Sequence, residues 1–265
     1  MRLGLAQLGF GTNKAHNLRL ISGLARRAKA EGADLVVFPE FSMYEKKMVD
    51  ATFSAAAEPL NGGFVSALSA LASELRIAMV VGVVELNEAD PRPFNTLIAL
   101  GPAGELLASY RKIHLFDSYG FSESASISPA ESLEPTVFAV DGMRVGLMTC
   151  YDLRFPELGR VLADAGAELV VTASSWVPGE HKAEQWRVLA RARAVENSYF
   201  VAAVSQSVPI SIGRSLLADP TGVVVGELGE ATGLLTLDVN PQAVSRARER
   251  DAFLRHRRYA VTPLR

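Results

Sequence analysis

The chain has 265 residues, 49% of them hydrophobic and 21% charged, with a formal net charge of -2. That balance suits a globular chain with a sizeable core, read as one domain over residues 1–265, and it supplies no basic surface for a nucleic acid. No run of about 18 apolar residues, long enough to cross a membrane, appears, and a lone cysteine can make no internal disulfide.

The first element, the apolar run from Met1 to Leu8, is too short for a secretory signal and lacks a cleavage site, so a cytoplasmic location is expected. A stretch of helical period from Asn17 to Ala30 leads into Asp34-Leu35-Val36-Val37-Phe38, which reads as a strand. Leu97 to Tyr110 reads as a hairpin turning at Pro102 and Gly104. Glu157 to Ala165 has helical period and leads into the strand Leu169-Val170-Val171. A second hairpin turns at Pro220 and Gly222. The arginine-rich tail from Asn240 to Arg265 reads either as a solvated surface helix over Gln242 to Arg255 or as a segment that crosses to a second subunit. Subunit contact is the expectation.

Three of these segments recur in order. RLGLAQL from Arg2 matches RVGLMTC from Arg144, GADLVV from Gly32 matches GAELVV from Gly166, and the two hairpins match each other. Two similar halves, each a sheet with helices on one face, would bury their bare faces together. The expected fold is therefore α/β, a four-layer αββα sandwich with an internal pseudo-twofold repeat. In that register Cys150 corresponds to Leu8 and Glu40 to Ser174. Cys150 and Glu40 then sit past the carboxyl ends of strands in opposite halves, where α/β active sites form.

Three groups could do chemistry. Cys150 stands between a strand and the loop Tyr151 to Glu157, a layout for a nucleophile with free N–H groups beside it, although a lone cysteine is commonly inert core. Glu40, at a strand mouth in VVFPEF, could accept a proton if buried, or could cap a turn. In SYRKIHLFD, one of the adjacent cations Arg111 and Lys112 is expected to point inward at an anion; the alternative is a snorkelling surface lysine. His16, His114, His181 and His256 are the only candidates for a cysteine–histidine pair, and that arrangement is disfavoured. No Cys/His cluster has zinc-site spacing and no glycine-rich phosphate loop follows a strand, so neither a metal nor a cofactor is expected.

VVFPE, YRKIHLFD and CYDLRFPE, in that order, with HRRY near the C-terminus, resemble the carbon-nitrogen hydrolase (nitrilase) superfamily, and the similarity runs over nearly the whole chain. The resemblance implies an αββα fold and a Glu40, Lys112 and Cys150 triad that cleaves an amide through a cysteine thioester. It also implies a second glutamate in the loop after the lysine, matched here by Glu123. The Tyr151 N–H would share the oxyanion with Lys112.

The motifs look most like the Nit-type amidase branch, whose members include ω-amidase and deaminated glutathione amidase. The implied substrate is a small amide bearing a carboxylate, which Arg154 would fork, with ammonia released. Tyr44 and Trp176 are candidate pocket walls, one from each half, and either could equally be a packing aromatic. The loop Ser174 to His181 departs from the Nit-type pattern and leaves the substrate open. N-carbamoyl amino acid hydrolysis is the alternative; nitrile hydrolysis or a non-catalytic binding protein on the same fold ranks lower. Family resemblance also implies a homodimer or a higher homo-oligomer.

Overall fold

Runs of β-branched and apolar residues build two six-stranded sheets in the structure, a computed structural model that describes residues 1–264. The strands are β1 (Arg2–Gln7), β2 (Leu35–Val37), β3 (Ala78–Glu85), β4 (Phe94–Leu100), β5 (Leu106–Arg111), β6 (Val137–Val140), β7 (Met143–Thr149), β8 (Leu169–Ser174), β9 (Phe200–Ser205), β10 (Leu216–Ala218), β11 (Val224–Glu227) and β12 (Gly233–Asp238). One sheet has the order β12-β1-β2-β3-β4-β5 and the other β6-β7-β8-β9-β10-β11. In each, three central parallel strands are flanked by antiparallel ones. The orders superimpose, with the chain's last strand closing the first sheet where β6 closes the second. The central strands are covered on both faces, which is why they read as unbroken apolar runs rather than as alternation; all eight residues of β3 are buried.

Helices α1 (Lys14–Ala30), α2 (Thr52–Ala56), α3 (Gly63–Leu75), α4 (Pro156–Asp164), α5 (Lys182–Asn197) and α6 (Pro241–Arg250) complete the fold. The inner sheet faces meet through Leu3, Leu5, Leu35 and Val37 against Val145 and Leu147. Outside the first sheet, Ile21 and Ala25 of α1 and Leu68 of α3 pack with Val36 and Val81. Outside the second, Leu162 of α4 and Ala190 and Ala194 of α5 pack with Val170. The layering is helix, sheet, sheet, helix, as expected.

The repeat extends to individual bonds. After each crossover helix the chain turns on a glycine with positive φ, Gly32 at 82° and Gly166 at 86°, where an L side chain would be strained. Two residues on, an acid receives the N–H of the neighbouring strand's first arginine: Arg2 to Asp34 at 2.7 Å, Arg144 to Glu168 at 3.0 Å. Both expected hairpins form, as β4–β5 and β10–β11.

The tail differs in part from expectation. Asn240 caps α6 by accepting the Gln242 N–H, with Pro241 at the first position, and the helix ends at Arg250 rather than Arg255. It is not a merely solvated helix, because Val244 and Ala247 are buried and Arg248 donates to the Ala167 carbonyl. Beyond it, Arg257 pairs with Asp164 of α4. Among the described residues, no helix is long and apolar enough to cross a membrane.

Candidate active site

β7 delivers Cys150 at its carboxyl end. The cysteine has a φ of 49° and opens a 3₁₀ turn, Cys150–Arg154. A non-glycine residue in this region is held there by its surroundings. Here the clamp is Asp152, fully buried, whose carboxylate accepts the Thr149 N–H at 2.8 Å, the Tyr110 hydroxyl at 2.7 Å and the His114 N–H at 3.1 Å, and meets His114 Nδ1 at 2.7 Å. Tyr110 and His114 flank Lys112, so Asp152 ties the cysteine turn of one half to the lysine segment of the other.

Strand alternation resolves the two cations at the end of β5. Arg111 faces outward onto Glu85, with Nη2 at 2.6 Å, and lies over the Phe94 ring. Lys112 points inward and is 2% exposed. Its ammonium donates to Glu40 Oε1 at 2.9 Å and to Glu123 Oε2 at 2.8 Å. Glu40 follows β2 in a loop laid tightly across Gly82 of β3, where an added Cβ would come within 2.6 Å of the Phe41 nitrogen. Its Oε2 accepts the Ser175 N–H at 2.7 Å. Asn95 of β4, buried, donates to both glutamates, at 2.7 Å to Glu40 and 3.1 Å to Glu123, and the Phe116 N–H adds 2.7 Å to Glu123.

The electrostatics follow from two carboxylates sharing one ammonium. Burial by itself would lower the Lys112 pKa, but Glu123 and Glu40 outweigh it and hold the ammonium well above its ordinary value. Burial and then the Glu40 charge push the Cys150 thiol well up, against the pull of Lys112. Cys150 is therefore held as a thiol, and a thiol acts as a nucleophile only where a base takes its proton. Glu45 adds a third carboxyl; burial pushes it well above the carboxylate range, with Glu40 reinforcing the shift. It accepts a hydrogen bond from Gln206 Nε2 at 2.6 Å, and the same amide donates to the Glu40 carbonyl at 2.8 Å.

These groups open on a cleft with two arms that meet at Phe116, Cys150, Ser175 and Val177. The larger arm spans about 490 Å³ of space continuous with solvent and is bordered by Glu40, Glu45, Lys112 and Glu123. The smaller spans about 240 Å³, also continuous with solvent, beside Tyr151, Arg154, Trp176 and Lys182. Seven of the eight residues singled out from the sequence thus converge. The exception is Tyr44, which is not on the cleft: its ring packs edge-on to Phe53 and its hydroxyl donates to Thr52. The chain turns after Glu40 so that Glu45, the residue after Tyr44, takes the inward place. Arg154 pairs with neither Asp152 nor Glu157; it donates to Gln185 at 2.7 Å and lies over the Trp176 ring. None of the four histidines lines the cleft: His114 is stacked on Phe155 and bound to Asp152, and His181 is exposed beside Glu180.

Sequence reasoning missed Asn95, Asp152, Glu45, Gln206 and Lys182. Asn95 left a signal, a polar residue inside the otherwise apolar FNTLIAL strand. Asp152 stands within the cysteine motif, but its partners Tyr110 and His114 lie about 40 positions away and leave no local signal.

The carbon-nitrogen hydrolase family profile matches residues 2–249. Hydrolase Rv0480c of Mycobacterium tuberculosis is 40% identical over 272 residues, with 97% of this chain and 95% of that protein covered. Deaminated glutathione amidase of Escherichia coli O157:H7 is 33% identical over 249 residues, covering 94% of each. The human omega-amidase NIT2 is 33% identical over 275 residues, covering 98% of this chain and 97% of that one. Among solved structures, Saccharomyces cerevisiae Nit3, a member of branch 10 of the nitrilase superfamily, superimposes with a TM-score of 0.86 at 28% identity, covering 98% of this chain and 97% of that one.

Proposed function

The chain belongs to the carbon-nitrogen hydrolase family, an amidohydrolase of non-peptide C–N bonds in linear amides, and from that premise we propose that Glu40, Lys112, Cys150 and Glu123 carry out its chemistry on a small, carboxylate-bearing ω-amide. The observation that carries this reading is one buried ammonium held between two carboxylates at a cleft floored by the only cysteine. Glu40 takes the Cys150 proton as sulfur adds to the amide carbonyl. The oxyanion is held by the Lys112 ammonium and the Tyr151 N–H, each such donor worth ~3 kcal/mol in the transition state. Protonated Glu40 hands its proton to the leaving nitrogen, ammonia departs, and a thioester remains on Cys150. Glu40, with Glu123 holding Lys112 and the water in place, then deprotonates the water that releases the acid and restores the thiol.

The raised thiol pKa supports this division of labour: a cysteine that does not ionise by itself depends on a neighbouring base, and the Ser175 and Asn95 hydrogen bonds aim Glu40 for that task. Arg154 and Trp176 border the smaller arm and suit the acyl end. Ammonia release measured across ω-amides of dicarboxylates and N-carbamoyl amino acids tests the reading. Turnover of the first group with little of the second is the expected result; the reverse order overturns the ω-amide assignment.

We also propose that the chain, acting as one domain, assembles as a homo-oligomer. Tyr259 and Leu264 in the tail and Val188 and Val195 on α5 leave apolar surface exposed that a second copy would cover. A monomeric mass by light scattering at micromolar concentration would count against it.

A further inference from the structure

The two arms of the cleft differ in charge. The larger arm is edged by three carboxyls offset by Lys46, Lys47 and Lys112, whereas the smaller is lined by no acid at all. Two cations face it instead. The Arg154 guanidinium lies 4.9 Å from the Trp176 ring centroid, and its Nε is buried without a hydrogen-bond partner. Lys182, the first residue of α5, is 5% exposed. Its ammonium stands 3.5 Å from the Tyr119 ring centroid, 5.4 Å from that of Phe116 and 6.0 Å from that of Trp176. Among the described residues it makes no hydrogen bond and no ion pair.

A lysine with a free path extends its head into water. This one is kept among aromatic faces beside a second cation, and burial followed by the Arg154 charge holds it below its ordinary pKa. Cation–π contact offsets part of that cost. The remainder is an uncompensated positive charge next to the nucleophile, and a bound anion removes it. A single carboxylate is satisfied by the fork of one guanidinium and would leave Lys182 unmatched. Glu40, the donor of the leaving group's proton, borders only the other arm, so the acyl end of the substrate is the part that enters here.

We propose that Arg154 and Lys182 form a two-cation subsite, and that the acyl end of the substrate presents two negative charges to it rather than one. This rests on the amidase reading above and narrows its substrate class to mono-amides of small tricarboxylates or similarly dianionic acids. A substrate bearing an ammonium beside its carboxylate is repelled.

The test uses the full chain and two product-like probes, tricarballylate and glutarate, titrated calorimetrically. Wild type should bind tricarballylate the more tightly, Lys182→Met should weaken it by at least about tenfold while glutarate weakens far less, and Lys182→Arg should recover most of the loss. Without ligand, Lys182→Met should also melt above wild type, because a repulsive charge is gone. Equal weakening for both probes, or none, overturns the subsite. Turnover of the corresponding mono-amides is followed in parallel, reading the ratio of kcat/KM for the dianionic over the monoanionic acyl end. If no linear amide is cleaved yet Lys182-dependent tricarballylate binding persists, the amidase reading falls and the subsite stands; cleavage without charge preference sinks the subsite alone.

Discussion

In the first half of the chain β2 runs on into Pro39 and Glu40, while its counterpart β8 ends at Ser174. In the second half β7 runs on into Cys150, while its counterpart β1 ends towards Leu8, an apolar core residue. The scaffold is duplicated down to the acid that receives each first arginine's N–H, and the reactive groups are not. One mouth collects an acid and a lysine from one half and a thiol from the other; the positions equivalent to the acid and the thiol hold a hydroxyl, Ser174, and a hydrocarbon, Leu8. Buried charges cost several kcal/mol each unless paired, so a second complete set would burden the fold without adding to the first. A symmetric frame with asymmetric endings lets the proposed nucleophile, Cys150, and its proposed base, Glu40, approach from opposite sheets.

The comparison breaks most sharply at the thiol. Cys150→Ala should reduce turnover to below about a thousandth of wild type while the melting temperature stays close to wild type; residual activity with a trappable acyl adduct elsewhere would reject the assignment. Glu40→Gln keeps the shape and the acceptor oxygen but cannot take a proton, so kcat should fall on the order of 10²–10⁴-fold. Near-normal turnover in that variant would move the base to another residue.

Asp152→Asn tests the tie between the halves. With one oxygen replaced by a donor, the Thr149, Tyr110 and His114 contacts cannot all be kept. Unfolding should cost about 1–3 kcal/mol less, with kcat reduced by roughly tenfold as the cysteine turn loosens. Loss of stability without loss of kcat would make the tie purely structural.

The smallest effect is expected at Glu45, and it is read in pH dependence. Below pH 4.5, the ordinary value for this group, the carboxyl is protonated whether the chain is folded or not. As the pH rises above that value the unfolded chain releases the proton and the folded one retains it, so stability is lost until the folded pKa is reached. Glu45→Gln lacks this slope. Its melting temperature should exceed wild type's by an amount that grows as the pH rises above 4.5, about 2–4 °C for each kcal/mol recovered. A constant difference across that range would mean that Glu45 is ionised in the folded protein.

Sequence alone determined the alternation of helix and strand, the repeat, the four layers, and the motifs that hold Glu40, Lys112 and Cys150. Each rests on periodicity or on neighbours a few residues away: a doubly covered strand must be apolar throughout, and a turn that needs positive φ favours glycine. Pairings across long separations were decided only by the tertiary structure. Asn95 reaches Glu40 across 55 positions, Gln206 reaches Glu45 across 161, and Ser175 reaches Glu40 across 135. Nothing local to those residues encodes such partners. The same limit explains Tyr44 and Glu45, adjacent in a loop where no period assigns a face. In the loop that crosses Gly82, the aromatic packs on Phe53 and the carboxyl turns in to accept from the Gln206 amide.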